Sequence, residues 1–239
     1  MQTTLQYLTS SLVKSVSEAK LETEPFCNIY MENVFPNYDH LLTLIPDKSL
    51  YTPINPEIWR RADGTSTRDY ILLDSECVDK LGTSWWCNVA AAIRNITFKQ
   101  AVLAKLARGL SERLQMSELA VVELAKICSD KIMLMRDTED YVIDPHTDTI
   151  NQLVTLQFYL PHDDSQLDLG TSLYKKQDKG FEEVKRYAFK PNSGYAFIVS
   201  KGPEHASWHG RQKLLGFKGV RNTLFASFNL KQKKLPRAQ

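Results

Sequence analysis

His146 and Asp148 stand two residues apart in Asp144-Pro145-His146-Thr147-Asp148. On an extended strand that spacing puts both side chains on one face, where an imidazole nitrogen and a carboxylate oxygen can grip one cation. A third ligand must come from farther along. His209, 63 positions after His146, can supply it if the chain folds back on itself, and His205, four residues earlier, competes for the role. Two imidazoles and a carboxylate on one side of a metal leave the other side open, which suits non-haem Fe(II) oxygen chemistry. The same donors can hold zinc for hydrolysis, and a lone His-x-Asp also occurs as a turn cap in a non-catalytic binding module.

Arg221 opens the apolar stretch Leu224-Phe225-Ala226-Ser227-Phe228, where an unpaired charge facing a core would be costly. Its planar fork meets a carboxylate through two parallel hydrogen bonds, and Thr223, two residues on, shares its face. Thr155, Gln157 and Tyr159 alternate with Leu156, Phe158 and Leu160, so the first three are expected to face a ligand while the others pack outward against helices. Trp59, Arg60 and Arg61, in a loop rich in Pro and Gly, are candidates for substrate contact together with Arg68 and His205. His40 falls on a predicted helix as an ordinary hydrogen-bonded residue, His162 and Asp163 follow Pro161 as loop residues, and Trp208 is expected to pack.

The elements that must position these groups divide the chain in two. Residues 3 to about 20 carry Leu5, Leu8, Leu12 and Val16 at helical spacing. A short strand is predicted near Phe26 to Ile29, then a helix from Tyr38 to Ile45 stopped by Pro46. Residues 48–67 read as a loop excursion. Asp74 or Ser75 can cap a short helix and Thr83 or Ser84 a longer one carrying Trp86, Val89, Ala90 and Ile93. Further helical series run through Val102, Leu103, Leu106 and Leu110, and through Leu119, Val122 and Leu124. After Lys131 strands take over: Ile132 to Met135, Tyr141 to Ile143, Leu153 to Leu160, Gly170 to Tyr174, Tyr187 to Phe189, Gly194 to Val199 and Asn222 to Phe228. About eight short strands punctuated by Gly, Pro and Asp suit a jelly roll.

The predicted fold is therefore α+β, a jelly-roll core flanked by helices from the amino-terminal half. One domain is expected over 1–239, with 1–130 as helical support and lid and 131–230 as the sheet core with the metal site. Of the 239 residues 43% are hydrophobic, and the net charge is +2, so no strong field marks a nucleic-acid or membrane partner. Cys27, Cys77, Cys87 and Cys128 lack any C-x-x-C spacing, so reduced thiols in a cytoplasmic protein are expected rather than a disulfide framework.

Asp144 to Asp148, Leu160-Pro161, Gly170-Thr171-Ser172-Leu173-Tyr174, Phe189-Lys190-Pro191-Asn192-Ser193, Ser207-Trp208-His209-Gly210 and Arg221-Asn222-Thr223-Leu224 together resemble the 2-oxoglutarate- and Fe(II)-dependent dioxygenase superfamily. Within it the pattern is similar to small bacterial hydroxylases of the Kdo-hydroxylase type. The resemblance covers about residues 131 to 228. It implies a double-stranded β-helix and Fe(II) held by His146, Asp148 and His209, since the spacing from His209 to Arg221 is that of the family's distal histidine and basic residue. It also implies Arg221 and Thr223 on the far carboxylate of 2-oxoglutarate, and dioxygen as the other co-substrate. The implied reaction hydroxylates an unactivated C–H bond of a small polar metabolite, such as a sugar acid or amino acid, releasing succinate and CO2. Asp148 argues for hydroxylation over halogenation, because related halogenases carry a small residue there.

Overall fold

A computed structural model describes residues 3–55, 57–76, 81, 84–202, 205–212 and 217–230. Helix α1 (Thr4–Glu18) begins in a reciprocal cap: Gln6 N–H donates to the Thr3 hydroxyl and Thr3 N–H donates to the Gln6 side chain. Its Leu8, Leu12 and Val16 are buried, each such side chain contributing about 1.5–3 kcal/mol by leaving water. Strands β1 (Leu21–Glu22) and β2 (Asn28–Glu32) follow, then α2 (Tyr38–Thr43), β3 (Thr52–Pro53) and β4 (Arg68–Leu72). Helices α3 (Trp85–Arg94), α4 (Ile96–Lys105), α5 (Ala107–Leu114) and α6 (Glu118–Glu123) complete the amino-terminal half. Asn95 and Ser117 cap α4 and α6 through their side chains.

Eight consecutive strands then wind between two antiparallel sheets. β5 (Ser129–Thr138), β7 (Gln152–Tyr159), β10 (Ser193–Ile198) and β12 (Val220–Asn229) join the large sheet, while β6 (Ile143–His146), β8 (Ser172–Gln177), β9 (Gly180–Arg186) and β11 (His209–Arg211) form the small one. The orders are β1-β2-β10-β7-β12-β5-β4-β3 and β6-β11-β8-β9, a jelly roll whose larger sheet is extended at both edges by strands from the amino-terminal half. Two cores result. The larger one lies between the helices and the large sheet and takes Leu12, Trp86, Ile93, Leu156 and Phe158. The smaller one lies between the sheets and is built from rings, among them Phe26, Tyr159, Tyr187, Phe189, Tyr195 and Phe197.

Several local expectations are corrected. Residues 48–67 are not all loop, since β3 lies within them and pairs with β4. The strand expected from Tyr141 begins only at Ile143, and Tyr187 to Phe189 is not a strand. Those two rings are core residues that follow β9, which a mostly exposed sequence and the positive φ of Gly180 set apart from any apolar run. In α6 it is Val121 that is buried, while Leu119 is exposed. Cys87 is disulfide-bonded rather than reduced, whereas Cys27 and Cys128 are free thiols. Thr83, Cys77 and most of the short helix expected after Ser75 lie outside the described residues. Among those described, no helix is long and apolar enough to cross a membrane.

Candidate metal centre and the cavity around it

The small sheet sets His146 and His209 directly opposite each other, as cross-strand partners of β6 and β11. Their rings lie 4.3 Å apart between centroids. Asp148 follows two residues past His146, just beyond the end of β6, and one ligand atom from each of the three falls within 4.8 Å of the others. Gly210 permits this arrangement, because a Cβ there would meet the Ile143 carbonyl oxygen at 2.6 Å.

Backbone carbonyls fix the chemistry of both rings. His146 Nδ1 lies 2.9 Å from the Asp144 oxygen and His209 Nδ1 lies 2.9 Å from the Ser207 oxygen. A carbonyl can only accept, so each Nδ1 carries a proton, and Nε2 is the nitrogen that holds the lone pair in the neutral ring. Burial first, then the ring of His209, lowers the pKa of His146 and favours its neutral form. His209 Nε2 is 3.7 Å from Asp148 Oδ2, too far for a hydrogen bond. Asp148 is held in turn by Thr155, whose hydroxyl donates to Oδ2, and by Gln152 Nε2 at 3.1 Å. Two imidazole lone pairs and a braced carboxylate are the donor set of a divalent transition metal, with outer partners that fix ligand orientation.

The three ligands open onto a cavity of about 310 Å³ between the sheets, within the size range of small-molecule sites. Thr155, Gln157 and Arg221 line it, along with Thr171, Tyr195, Met133, Met135 and Phe225. Gln157 is a hub. Its Nε2 donates to Thr223 Oγ1 at 3.0 Å, and its Oε1 accepts from Tyr195 at 2.8 Å and from Arg221 Nη2 at 3.3 Å. The Tyr159 hydroxyl accepts from the Thr171 N–H at 2.9 Å, and the alternate residues Leu156, Phe158 and Leu160 face the helix-side core.

Arg221 does not stand free. Its Nη1 donates to Asp137 Oδ2 at 2.8 Å and its Nε to the Leu169 carbonyl at 2.7 Å, while the guanidinium lies over the rings of Tyr159 and Phe189. Asp137 is fully buried and its other oxygen lies 3.3 Å from Arg68 Nε. Arg68 is itself held between the rings of Trp59 and Tyr141 and donates to the Tyr141 hydroxyl. Arg211 adds a third guanidinium, which donates to the Tyr141 carbonyl at 3.0 Å. Burial, and then the charge of Arg221, push its pKa down to about 10, still cationic at neutral pH.

Trp59 and Arg68 line the cavity, and Arg60, Arg61 and His205 do not. Arg61 instead ties its loop to Thr138 and the Glu139 carbonyl. Arg60 lines a separate shallow groove with Arg61, and His205 a third one beside Cys27 and Arg108. Trp208 packs on Phe181 with centroids 4.8 Å apart. Sequence reasoning missed Tyr141, Asp137, Tyr195 and Arg211. Arg211 carried a signal, since it follows His209 by two residues as Asp148 follows His146; Asp137 carried none.

No protein-family model matches the sequence, and no curated protein does. Among solved structures the chain is similar to a Pseudomonas putida prolyl-4-hydroxylase at 13% identity, over 94% of this chain and 100% of that one, with a TM-score of 0.46. It is similar at 13% identity to the Arabidopsis thaliana dioxygenase for auxin oxidation in its 2-oxoglutarate complex, over 97% of this chain and 81% of that one, with a TM-score of 0.49. A Burkholderia pseudomallei oxidoreductase of the 2OG-Fe(II) oxygenase family is 9% identical over 92% of this chain and 90% of that one, with a TM-score of 0.49.

Proposed function

We propose that this protein is a non-haem Fe(II)- and 2-oxoglutarate-dependent dioxygenase that hydroxylates a C–H bond of a small molecule. The observation that carries the reading is the pairing of two imidazoles with one braced carboxylate on a cavity that is also lined by the guanidiniums of Arg68, Arg211 and Arg221. When bound, the iron with the keto acid and dioxygen supplies the oxidant, and succinate and CO2 leave.

The chain's own residues position and shield. His146, Asp148 and His209 would hold the metal, with the Asp144 and Ser207 carbonyls keeping each Nδ1 protonated so that neither ring turns away. Thr155 and Gln152 hold the Asp148 carboxylate in one orientation. Arg221 and Thr223 would take the far carboxylate of 2-oxoglutarate, with Gln157 keeping both in place. Thr155 completes that wall, while Tyr159, which does not line the cavity, supports it from the core between the sheets by accepting from the Thr171 N–H; Trp59 and Arg68 stand where the substrate would approach. The apolar lining by Met133, Met135 and Phe225 excludes water from the reacting carbon. All of this falls in a single domain, the helices bracing the large sheet from outside.

Incubation in air with Fe(II), ascorbate and 2-oxoglutarate tests the reading. Succinate should form in wild type, faster with a substrate from a metabolite panel, and should fall at least about 100-fold in His209→Ala and Asp148→Ala. Equal succinate formation by wild type and both variants overturns it.

A further inference from the structure

Three guanidiniums converge on the cavity, and among the described residues a single carboxylate forms ion pairs with them. Asp137 is divided between Arg221 and Arg68, and among the described residues no carboxylate pairs with Arg211. Arg211 is 4% exposed, and among the described residues its Nε has no hydrogen-bond partner and its Nη1 donates to the Tyr141 carbonyl. A buried cation left in that state is costly unless an anion arrives to meet it. The charges point the same way. With a divalent cation on the triad and a dianionic keto acid beside it, Asp137 and Asp148 still leave one positive charge on the cavity uncompensated. That charge calls for one negative charge on the substrate.

We propose, resting on the dioxygenase reading above, that Arg211, braced by Tyr141 and flanked by Arg68, anchors the carboxylate of a monocarboxylic substrate. The apolar body of that substrate lies along Ile54, Trp59, Met133, Met135 and Phe225. Tyr141 fixes the guanidinium from two sides, through its carbonyl and through its ring, 5.1 Å from the Arg211 guanidinium carbon. The same ring carries Arg68 at 4.6 Å, so the two cations share one support, and of the two only Arg68 makes an ion pair with Asp137. Arg211 is a substrate-binding residue on this account, and the carboxylate it holds is distinct from that of the keto acid.

Calorimetry on the full chain tests this with arylalkyl monocarboxylates from phenylacetate to 4-phenylbutyrate, each against its neutral amide, in wild type, Arg211→Met and Arg211→Lys. Wild type should bind at least one acid about 10-fold or more tighter than its amide, as expected for a charge-assisted bond. The preference should vanish in Arg211→Met and return in part in Arg211→Lys. Arg211→Met should also melt no lower than wild type without ligand, because it removes an unpaired buried charge. Affinity for 2-oxoglutarate, read anaerobically with Fe(II), should change less than about 2-fold in Arg211→Met. Equal binding of every acid and its amide, or a parallel loss of 2-oxoglutarate affinity, overturns the proposal. If wild type prefers the acid but forms no complex with Fe(II) and 2-oxoglutarate, the dioxygenase reading fails and the anion site stands.

Discussion

Along β7, Leu156 and Phe158, with Leu160 just past its end, bury against the helices while Thr155 and Gln157 line the cavity and Tyr159 packs between the sheets. Every residue of the strand is buried. The two faces of the large sheet differ in the same way beyond β7. On the helix side Ile132, Leu134, Leu224 and Phe228 join one apolar cluster, whereas on the other side Asp137, Thr223 and Arg221 sit in a hydrogen-bonded network. Burying apolar groups is favourable wherever it occurs, but burying polar and charged groups costs free energy that their partners only partly return. A fold selected for stability alone would make the inner face resemble the outer one, so the polar lining marks what the cavity is for.

Substitutions on the two faces should therefore separate stability from ligand binding. The largest effect is expected at the centre of the cationic wall, where Asp137→Ala leaves Arg221 buried without its carboxylate and should cost about 3–5 kcal/mol. Chemical unfolding measures this, and the double variant Asp137→Leu with Arg221→Met should recover the part of the loss that comes from Arg221, Arg68 still lacking its carboxylate. On the helix side Leu156→Ala should cost about 3 kcal/mol through the cavity it opens, yet leave metal affinity within about 2-fold of wild type, since Leu156 packs in the helix-side core. A metal affinity that tracked stability in that variant would erase the distinction between the faces.

Thr155→Val, one residue away on the opposite face, should reverse the pattern. Losing the hydroxyl that braces Asp148 should weaken metal binding by about 10-fold or more at a stability cost of only about 1 kcal/mol. The smallest effect is a pH dependence. Burial and then the His209 ring depress the pKa of His146 below 6.5, so the unfolded chain binds that proton more readily than the folded one. In metal-free protein stability should rise with pH between the depressed folded value and the ordinary one, and the slope contributed there should disappear in His146→Gln. Identical slopes in the two proteins would remove His146 as the cause.

Much of this contrast was legible in the sequence because a strand repeats every two residues. Parity alone separated Thr155, Gln157 and Tyr159 from Leu156, Phe158 and Leu160, and it joined His146 to Asp148. What parity could not reach were pairings across long separations. Asp137 meets Arg221 only because β5 and β12 are neighbours in register, and Tyr141 becomes a support for two arginines only when β4 and β11 are brought to it. β9 escaped notice because an exposed hairpin strand has no core face to impose an apolar pattern. Arg60, Arg61 and Arg68 looked equivalent as basic residues of one region. Arg68 points inward because it begins β4 opposite Asp137, while Arg61 is spent on tying its own loop.

Anaerobic titration of the purified chain with Fe(II) and then 2-oxoglutarate addresses the shared site most directly, by following the weak visible charge-transfer absorption of a chelated keto acid. The band should appear with one iron and one keto acid per chain, should be absent in His209→Ala, and should need a far higher keto-acid concentration in Arg221→Met. Iron that binds without producing the band, or a band that survives loss of His209, would contradict the account.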